Sequence, residues 1–480
     1  MRAVVIGGSV AGLAASVGLA RRGWQVDVIE RDPAPDTDSG DEAFVSWDRP
    51  GVPQFRQPHG FSARSRTLLL EHIPEAVDRL LANGIPELNF FKELAPPELW
   101  EDGDDAFTGL WSRRPGFELA IRRVAEAEPG VNLCCPASAE GLVYDETAGD
   151  PPYVTGVRLA DGNELTGDVV FDCGGRRTPV LGWLAKDCDV HVPEDVQDCK
   201  AAYYTRHYRQ SPSSKMSQLG LVGAMVPLDR LNAVPFSGDN RAFGIGLFAD
   251  PADKELRVLR HDWAFDAVVE NIPSLAPWVA PDNAEPLVST SSMAGHQNVR
   301  RQHVVDGAPL VRGLLPVGDS LCTTNPQYGW GASMALTYAF AAVTAADAHA
   351  RSGDCDAMAL AYDEAVRSEA DGVYRESAAM DRMRIYEWEG IDIPADDQAE
   401  MDRQRLVRGV MAGATRDPVL GRALLRRMNL VEPPEQVLDD PEVVAHAQRT
   451  LDILAGKEPR KLGPSRDEML ELLARAAPAE

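Results

Sequence analysis

The opening stretch, MRAVVIGGSVAGLAASVGLARRGWQVDVIERD, restricts the fold more than any other part of the chain. Ala3-Val4-Val5-Ile6 is a short, mostly β-branched apolar run that stops at glycine, as a buried strand does. From Ser9 to Arg22 the residues are small or helix-forming, with Val10, Leu13, Ala14 and Val17 at helical spacing. A second apolar run, Val26 to Ile29, ends at Glu30. Strand, glycine-rich turn, helix and strand in this order make the dinucleotide-binding βαβ unit. Gly7 permits the tight turn and Gly12 lets the helix pack close to the sheet. In Gly7-Gly8-Ser9-Val10-Ala11-Gly12, Ser9 stands where a glycine usually lets backbone approach a pyrophosphate. The helix N-terminus then offers free N–H groups and a partial positive charge to phosphate. Glu30 falls about 20 residues on, where a carboxylate accepts from ribose hydroxyls and repels a 2′-phosphate. The tightly held nucleotide is therefore expected to be FAD or NAD, with Gly7, Ser9, Ala11, Gly12 and Glu30 around it and Arg31 at its adenosine end.

The remaining sequence narrows the class. A chain of 480 residues is long enough for two domains and an appendage. Its net charge of -26 disfavours nucleic acid and anionic membrane as partners. Glycines and charges interrupt every apolar run, so no membrane span and no export signal are expected. The seven cysteines are odd in number and contain no CxxC pair. That pattern fits neither a disulfide framework nor a zinc site and points to a reducing, cytoplasmic setting. Nine histidines without HxxxH spacing give a metal site little support.

Between about 184 and 300, the segments KAAYYTRHYRQ, LGLVGAMVPL and RAFGIGLFAD predict a second, antiparallel sheet. Gly244 to Ala249 also fits GxGxxA, but Asp250-Pro251 follows where a helix would have to continue. An ordinary strand is expected there. GLLPVGDSLCTTNPQYGWGASMALTYAF returns to the style of the first domain, and beyond residue 351 the pattern is helical. Ser465 and Glu468 are spaced as a capping box for the last helix.

Three motifs together carry a resemblance: GGSVAG with Glu30, VVFDCGGRRTPVLGWLA at 169–185, and LPVGDSLCTTNPQYGWGASMA at 315–335. In this order they resemble the FAD-dependent monooxygenases of the para-hydroxybenzoate hydroxylase fold, in the branch with polyether epoxidases and flavin oxidoreductases of secondary metabolism. The likeness spans residues 1 to about 350. It implies an α/β architecture: a Rossmann-type FAD-binding domain (1–183, returning at 301–350), an inserted antiparallel-sheet substrate domain (184–300) and a C-terminal helical region (351–480).

The resemblance also implies roles. Asp319 would accept from the ribityl chain of FAD, and Arg114, in RRPGFELAI, would approach its phosphate or ribityl part. Pro326 would pack beside the reactive edge of the flavin, and Trp330 would line the substrate pocket; these two are the catalytic candidates, the flavin itself carrying the chemistry. Gly329, Gly331 and Ala332 would bring a helix N-terminus toward the ring, where it stabilises negative charge. Trp330-Gly331-Ala332 departs from the family's Gln-Gly-Met, and Cys173-Gly174 from its Ala-Thr. His59, in FRQPHGF, is either functional or a surface-loop residue.

The implied activity is hydroxylation or epoxidation of an apolar small molecule with molecular oxygen, through a C4a-(hydro)peroxyflavin. NAD(P)H or a partner flavin reductase would be the reductant. The apolar stretch Leu219 to Leu228 is expected to contribute to the substrate side. Alternatives with the same fold are a reductase or desaturase of the prenyl-reductase kind and a non-catalytic flavoprotein. The Trp-x-Trp-x-Ile-Pro signature of flavin-dependent halogenases is missing.

Overall fold

The computed structural model describes residues 1–217, 226–457 and 461–478. The chain begins with β1 (Arg2–Ile6), α1 (Val10–Ala20) and β2 (Gln25–Ile29), and continues through α2 (Ala63–His72), α3 (Arg114–Ala127), β3 (Val131–Cys134) and β4 (Val169–Asp172). A second sheet follows from β5 (Ala202–Gln210), β6 (Leu231–Ser237) and β7 (Ala242–Ala249), covered by α4 (Asp262–Val269). The return segment holds β8 (Gln297–Arg301), β9 (Leu314–Pro316) and α5 (Gly331–His349). The tail includes α6 (Cys355–Glu389), α7 (Pro418–Met428) and α8 (Arg466–Ala476).

The first sheet is parallel, with strand order β9-β4-β1-β2-β3. Its register sets Ile6 opposite both Ile29 and Asp172, and Asp172 opposite Pro316, so the carboxyl ends of four strands lie side by side. Ligands of open α/β sheets bind at this edge. α1 is buried along almost its whole length, which matches its nearly all-apolar sequence. It packs on α5: a Cβ on Gly18 would come within 3.2 Å of Val343.

In the second sheet β5 pairs with β7, and β7 with β6, all antiparallel. Side chains alternate along β5. Tyr204 and Tyr208 point to the outer face, joining an apolar cluster with α4 and with Met469 and Leu473 of α8. Tyr203, Thr205 and His207 point to the inner face, toward the first domain. The GxGxxA string is indeed part of a strand, β7. Its glycines make room for rings: a Cβ on Gly244 would sit 3.0 Å from the His207 ring, and one on Gly246 3.0 Å from Phe248.

Of the stretch 219–228 expected on the substrate side, residues 219–225 lie outside the described residues. Val226 and Leu228 pack with the outer-face cluster instead, because their short strand pairs with the edge of β6. The tail is integral to the molecule. α6 contributes Met358, Tyr362, Val366, Ala370 and Val373 to the main core, and the Tyr362 hydroxyl donates to the Pro316 carbonyl at 2.7 Å. The Ser465–Glu468 capping box forms at the start of α8. Among the described residues no helix is long and apolar enough to cross a membrane.

Candidate active site

The turn between β1 and α1 has no room for side chains. Gly7 has φ +100°, and a Cβ there would lie 2.4 Å from the Cys173 carbonyl oxygen. A Cβ on Gly12 would lie 1.9 Å from the Gly7 carbonyl oxygen, and one on Gly8 2.9 Å from Glu30. Ala11 is half-buried against Gly318, whose φ is +67° and whose added Cβ would approach Ala11 to 3.2 Å. No side chain caps α1. Ser9 occupies the capping position, but its hydroxyl donates to Glu118 at 2.6 Å and accepts from Arg114 at 3.1 Å. The first-turn N–H groups of α1 are left for a ligand or solvent.

Around this terminus lies a buried ion cluster that the sequence did not disclose. Arg49, its side chain 1 % exposed, reaches Glu30 at 2.8 Å, Asp32 at 3.1 Å and Glu118 at 2.6 Å. Burial opposes its charge, but the three carboxylates, Glu118 first, hold its pKa above the ordinary value. Glu30 also accepts from the Gly8 N–H at 2.9 Å and the Asp32 N–H at 2.8 Å. Three of the roughly four lone-pair directions of Glu30 are thus used within the protein, leaving about one for the predicted ribose contact. Arg31 is exposed and lies against Gly51, outside the cluster.

Arg114 begins α3, and its guanidinium spans Ser9, Glu118 at 3.4 Å and His59 at 3.3 Å. His59 Nδ1 is 2.8 Å from the Gln57 carbonyl, so Nδ1 donates there and Nε2 accepts from Arg114. Burial first, and then the Arg114 charge, push the His59 pKa down to about 3, so the ring is neutral. His59 is therefore tied to the cluster through Arg114.

Asp319 follows β9 in a short 3-10 turn. Its backbone carbonyl is fastened by Arg301 at 3.1 Å and the Thr323 hydroxyl at 3.0 Å. Its carboxylate makes no hydrogen bond among the described residues. Burial raises the Asp319 pKa against the pull of Arg114, Arg176 and Arg301. Behind it, Asp172 accepts from the Gly174 N–H at 2.9 Å, Thr178 at 2.8 Å and Ser320 at 3.2 Å, joining the two glycine-punctuated motifs.

The loop before α5 completes the site. Pro326 and Gly331 are exposed, Ala332 is half-buried, and Gly329 has φ +74°. Among the described residues a Cβ on Gly329 or Gly331 would meet nothing within 4 Å, so they leave the space before this helix open. No side chain caps α5 either. Trp330 departs from its expected place. It is 1 % exposed and belongs to the core, with Tyr328 at 5.6 Å between ring centroids and the Arg427 guanidinium of α7 over its ring at 5.5 Å. It anchors the loop to the tail, because the indole is large enough to bridge the two and its apolar area favours that burial.

Across from the loop stands the inner face of the second sheet. Tyr203 and Phe248 pack there with half-buried Val234, Phe236 and Met293. Tyr203 donates to Asn325 Oδ1 at 2.5 Å, which fixes this face next to Pro326. Thr205 and Ser291 hold the Gln57 side chain at 2.6 and 3.0 Å.

No protein-family profile matches the chain. It is 24 % identical over 365 residues to Protein Rv3254 of Mycobacterium tuberculosis, covering 69 % of this chain and 70 % of that protein. The flavin-dependent brominase Bmp2 superposes with a TM-score of 0.56 at 16 % identity, covering 95 % of this chain and all of that one. PqsL, a probable FAD-dependent monooxygenase of Pseudomonas aeruginosa, superposes with a TM-score of 0.56 at 11 % identity, covering 82 % and 99 %. With its parallel sheet, inner-facing antiparallel sheet and helical tail, the chain has the para-hydroxybenzoate hydroxylase type of fold found in flavin-dependent monooxygenases and halogenases.

Proposed function

We propose that this protein is an FAD-dependent monooxygenase that oxygenates an apolar small molecule. The observation that carries the reading is the Asp319 carboxylate, which has no donor among the described residues and follows Gly318, packed against Ala11 of α1 and Ala335 of α5, two helices that no described side chain caps. A partly buried carboxylate without a donor is costly, and a ribityl hydroxyl supplies one. The chain fits the rest of FAD as well. The α1 N–H groups and Arg114 suit its pyrophosphate, the last acceptor direction of Glu30 suits its ribose, and the open space before Gly329 and Gly331 suits a flat ring. When bound, FAD would supply the activation of oxygen and its transfer to substrate.

The chain's own residues would then do the positioning. The α5 N-terminus presents partial positive charge to an anion placed before it. Val234, Phe236, Phe248 and Met293 would hold an apolar substrate against Pro326 and keep water away. Residues 1–183 and 301–350 form the FAD-binding part in this reading, 184–300 the substrate domain and 351–480 the helical region. NAD(P)H or a partner flavin reductase would be the reductant, in a cytoplasmic, secondary-metabolic setting.

The test is single-turnover oxidation of chemically reduced, FAD-loaded protein with labelled oxygen and a panel of apolar arenes and alkenes, with bromide added in a parallel arm. Labelled oxygen in a probe, with less hydrogen peroxide released, supports the monooxygenase. Hydride addition to an alkene without oxygen would support the reductase, bromination the halogenase, and peroxide alone across the panel a non-catalytic flavoprotein.

A further inference from the structure

Asp381 lies on the tail helix α6, is fully buried, and collects four donors. Its Oδ1 accepts from Asn325 Nδ2 at 2.7 Å, the Tyr328 hydroxyl at 2.9 Å and Arg384 at 3.1 Å, and its Oδ2 from Asn298 Nδ2 at 2.8 Å. Asn325 and Tyr328 flank Pro326, so one carboxylate grips the loop on both sides of that residue. The neighbouring bonds tighten the same grip. Asn298 Oδ1 accepts from the Asn325 N–H at 2.8 Å and from Ser377 of α6 at 2.6 Å. Asn325 Oδ1 in turn accepts from the Gln327 N–H at 2.9 Å and the Tyr203 hydroxyl at 2.5 Å.

We propose that Asp381 is a positioning residue, through which the tail sets the pose of the Pro326 loop toward the flavin and couples that loop to the substrate-facing sheet. The functional half rests on the FAD reading above. The physical reason for a charge at this place is specificity. Packed apolar residues would fill the gap between α6 and the loop at less cost in desolvation, whereas a satisfied polar network selects one loop conformation. Arg384 supplies the counter-charge and is itself held over the Trp388 ring at 4.6 Å. Tyr203 extends the network into β5, so a shift of the inner sheet face moves Asn325 and the loop with it. The tail, which carries no chemistry in its sequence, thereby becomes part of the site.

Two variants and one control test this. Tyr328→Phe removes one donor to Asp381 and leaves the ion pair intact, and Asp381→Asn replaces an acceptor while keeping the shape. Tyr362→Phe removes a buried α6 hydroxyl that bonds β9 rather than the loop. Amide hydrogen exchange of residues 325–331 is measured on flavin-free protein, and the visible circular dichroism and midpoint potential of the flavin on loaded protein.

We expect exchange in 325–331 to rise about tenfold in Tyr328→Phe and more in Asp381→Asn, with an altered flavin dichroism and potential, and no such change in Tyr362→Phe. Should Asp381→Asn fail to fold, Tyr328→Phe decides alone. Unchanged exchange in the folded variants overturns the proposal, as does an equal rise in Tyr362→Phe. Raised exchange with unaltered flavin signals overturns its functional half. If the wild-type chain takes up no flavin, the FAD reading fails while the exchange result still decides whether Asp381 holds the loop.

Discussion

α1 and α5 pack against each other, and both begin at the site without a side-chain cap. Their surroundings are opposite in kind. The α1 terminus is ringed by Arg49, Arg114, Glu30, Asp32 and Glu118, whose charges are nearly matched and locked together. The α5 terminus meets Ser62 and Ser65 through Ser333, at 2.5 and 2.8 Å, and otherwise faces Pro326, Trp330 and open space. The same backbone dipole therefore works in two settings. In a charged, satisfied one it holds a group of fixed charge. In an open one it would favour negative charge that arises during a reaction once a bound ligand has displaced the water that screens it. In the proposed reading the first terminus serves retention of the cofactor and the second the chemistry.

Glycine substitution is expected to have the largest and most unequal effect at the two termini. Gly12→Ala forces a Cβ to 1.9 Å from the Gly7 carbonyl, so α1 has to leave the sheet. We expect loss of folded protein, read by far-ultraviolet circular dichroism and yield. Gly331→Ala at the other terminus meets nothing within 4 Å, and its melting temperature should stay within a few degrees of wild type.

Next in size is Arg49→Ala, which leaves three buried carboxylates without their shared cation. Breaking a buried ion pair in this way costs about 3–5 kcal/mol, to be read by urea unfolding. Ser333→Ala at the α5 end removes only neutral hydrogen bonds and should cost about 1 kcal/mol.

These residues also mark what the sequence could disclose. The glycine turn was legible because Gly7, Gly8 and Gly12 act within one short segment, and the strand reading of Gly244 and Gly246 followed from the adjacent Asp250-Pro251. Arg49 was not legible. Its carboxylate partners lie 17, 19 and 69 residues away, and a lone arginine in a Pro- and Asp-rich loop reads as solvated. The Asp381–Asn325 bond spans 56 residues, and nothing in a long helix distinguishes one inward aspartate from its exposed neighbours. Trp330 is core and not pocket, which the sequence does not disclose, because it gives a residue's position in a loop without the direction of its side chain.

A pH titration tests the neutral state of the buried histidines. His207 and His296 are 2 % and 6 % exposed, and burial, before the nearby arginines, lowers their pKa values from 6.5 to about 3 and about 4. The unfolded chain takes up protons below its value of 6.5 while the folded one cannot. Stability is therefore full above that pH and falls as the pH drops toward the folded values. At about pH 5.5 each of the two costs roughly 1.4 kcal/mol, and His59 and His303, both lowered to about 3, add as much again, on the order of 5–6 kcal/mol together. Denaturant unfolding at stepped pH should show this slope, and His207→Gln should remove about a quarter of it.

Flavin binding at Asp319 is read most directly as the affinity of the apoprotein for FAD, followed by quenching of flavin fluorescence, in wild type and Asp319→Ala. Asp319 has its backbone fastened by Arg301 and its carboxylate without a donor among the described residues, so its removal is expected to spare the fold and to take away the proposed bond to the ligand. A lost hydrogen bond to a charged group is worth about 1.5–3 kcal/mol, so binding is expected to weaken by roughly 10- to 100-fold with the melting temperature of the apoprotein unchanged. Equal affinity in the two proteins would contradict it.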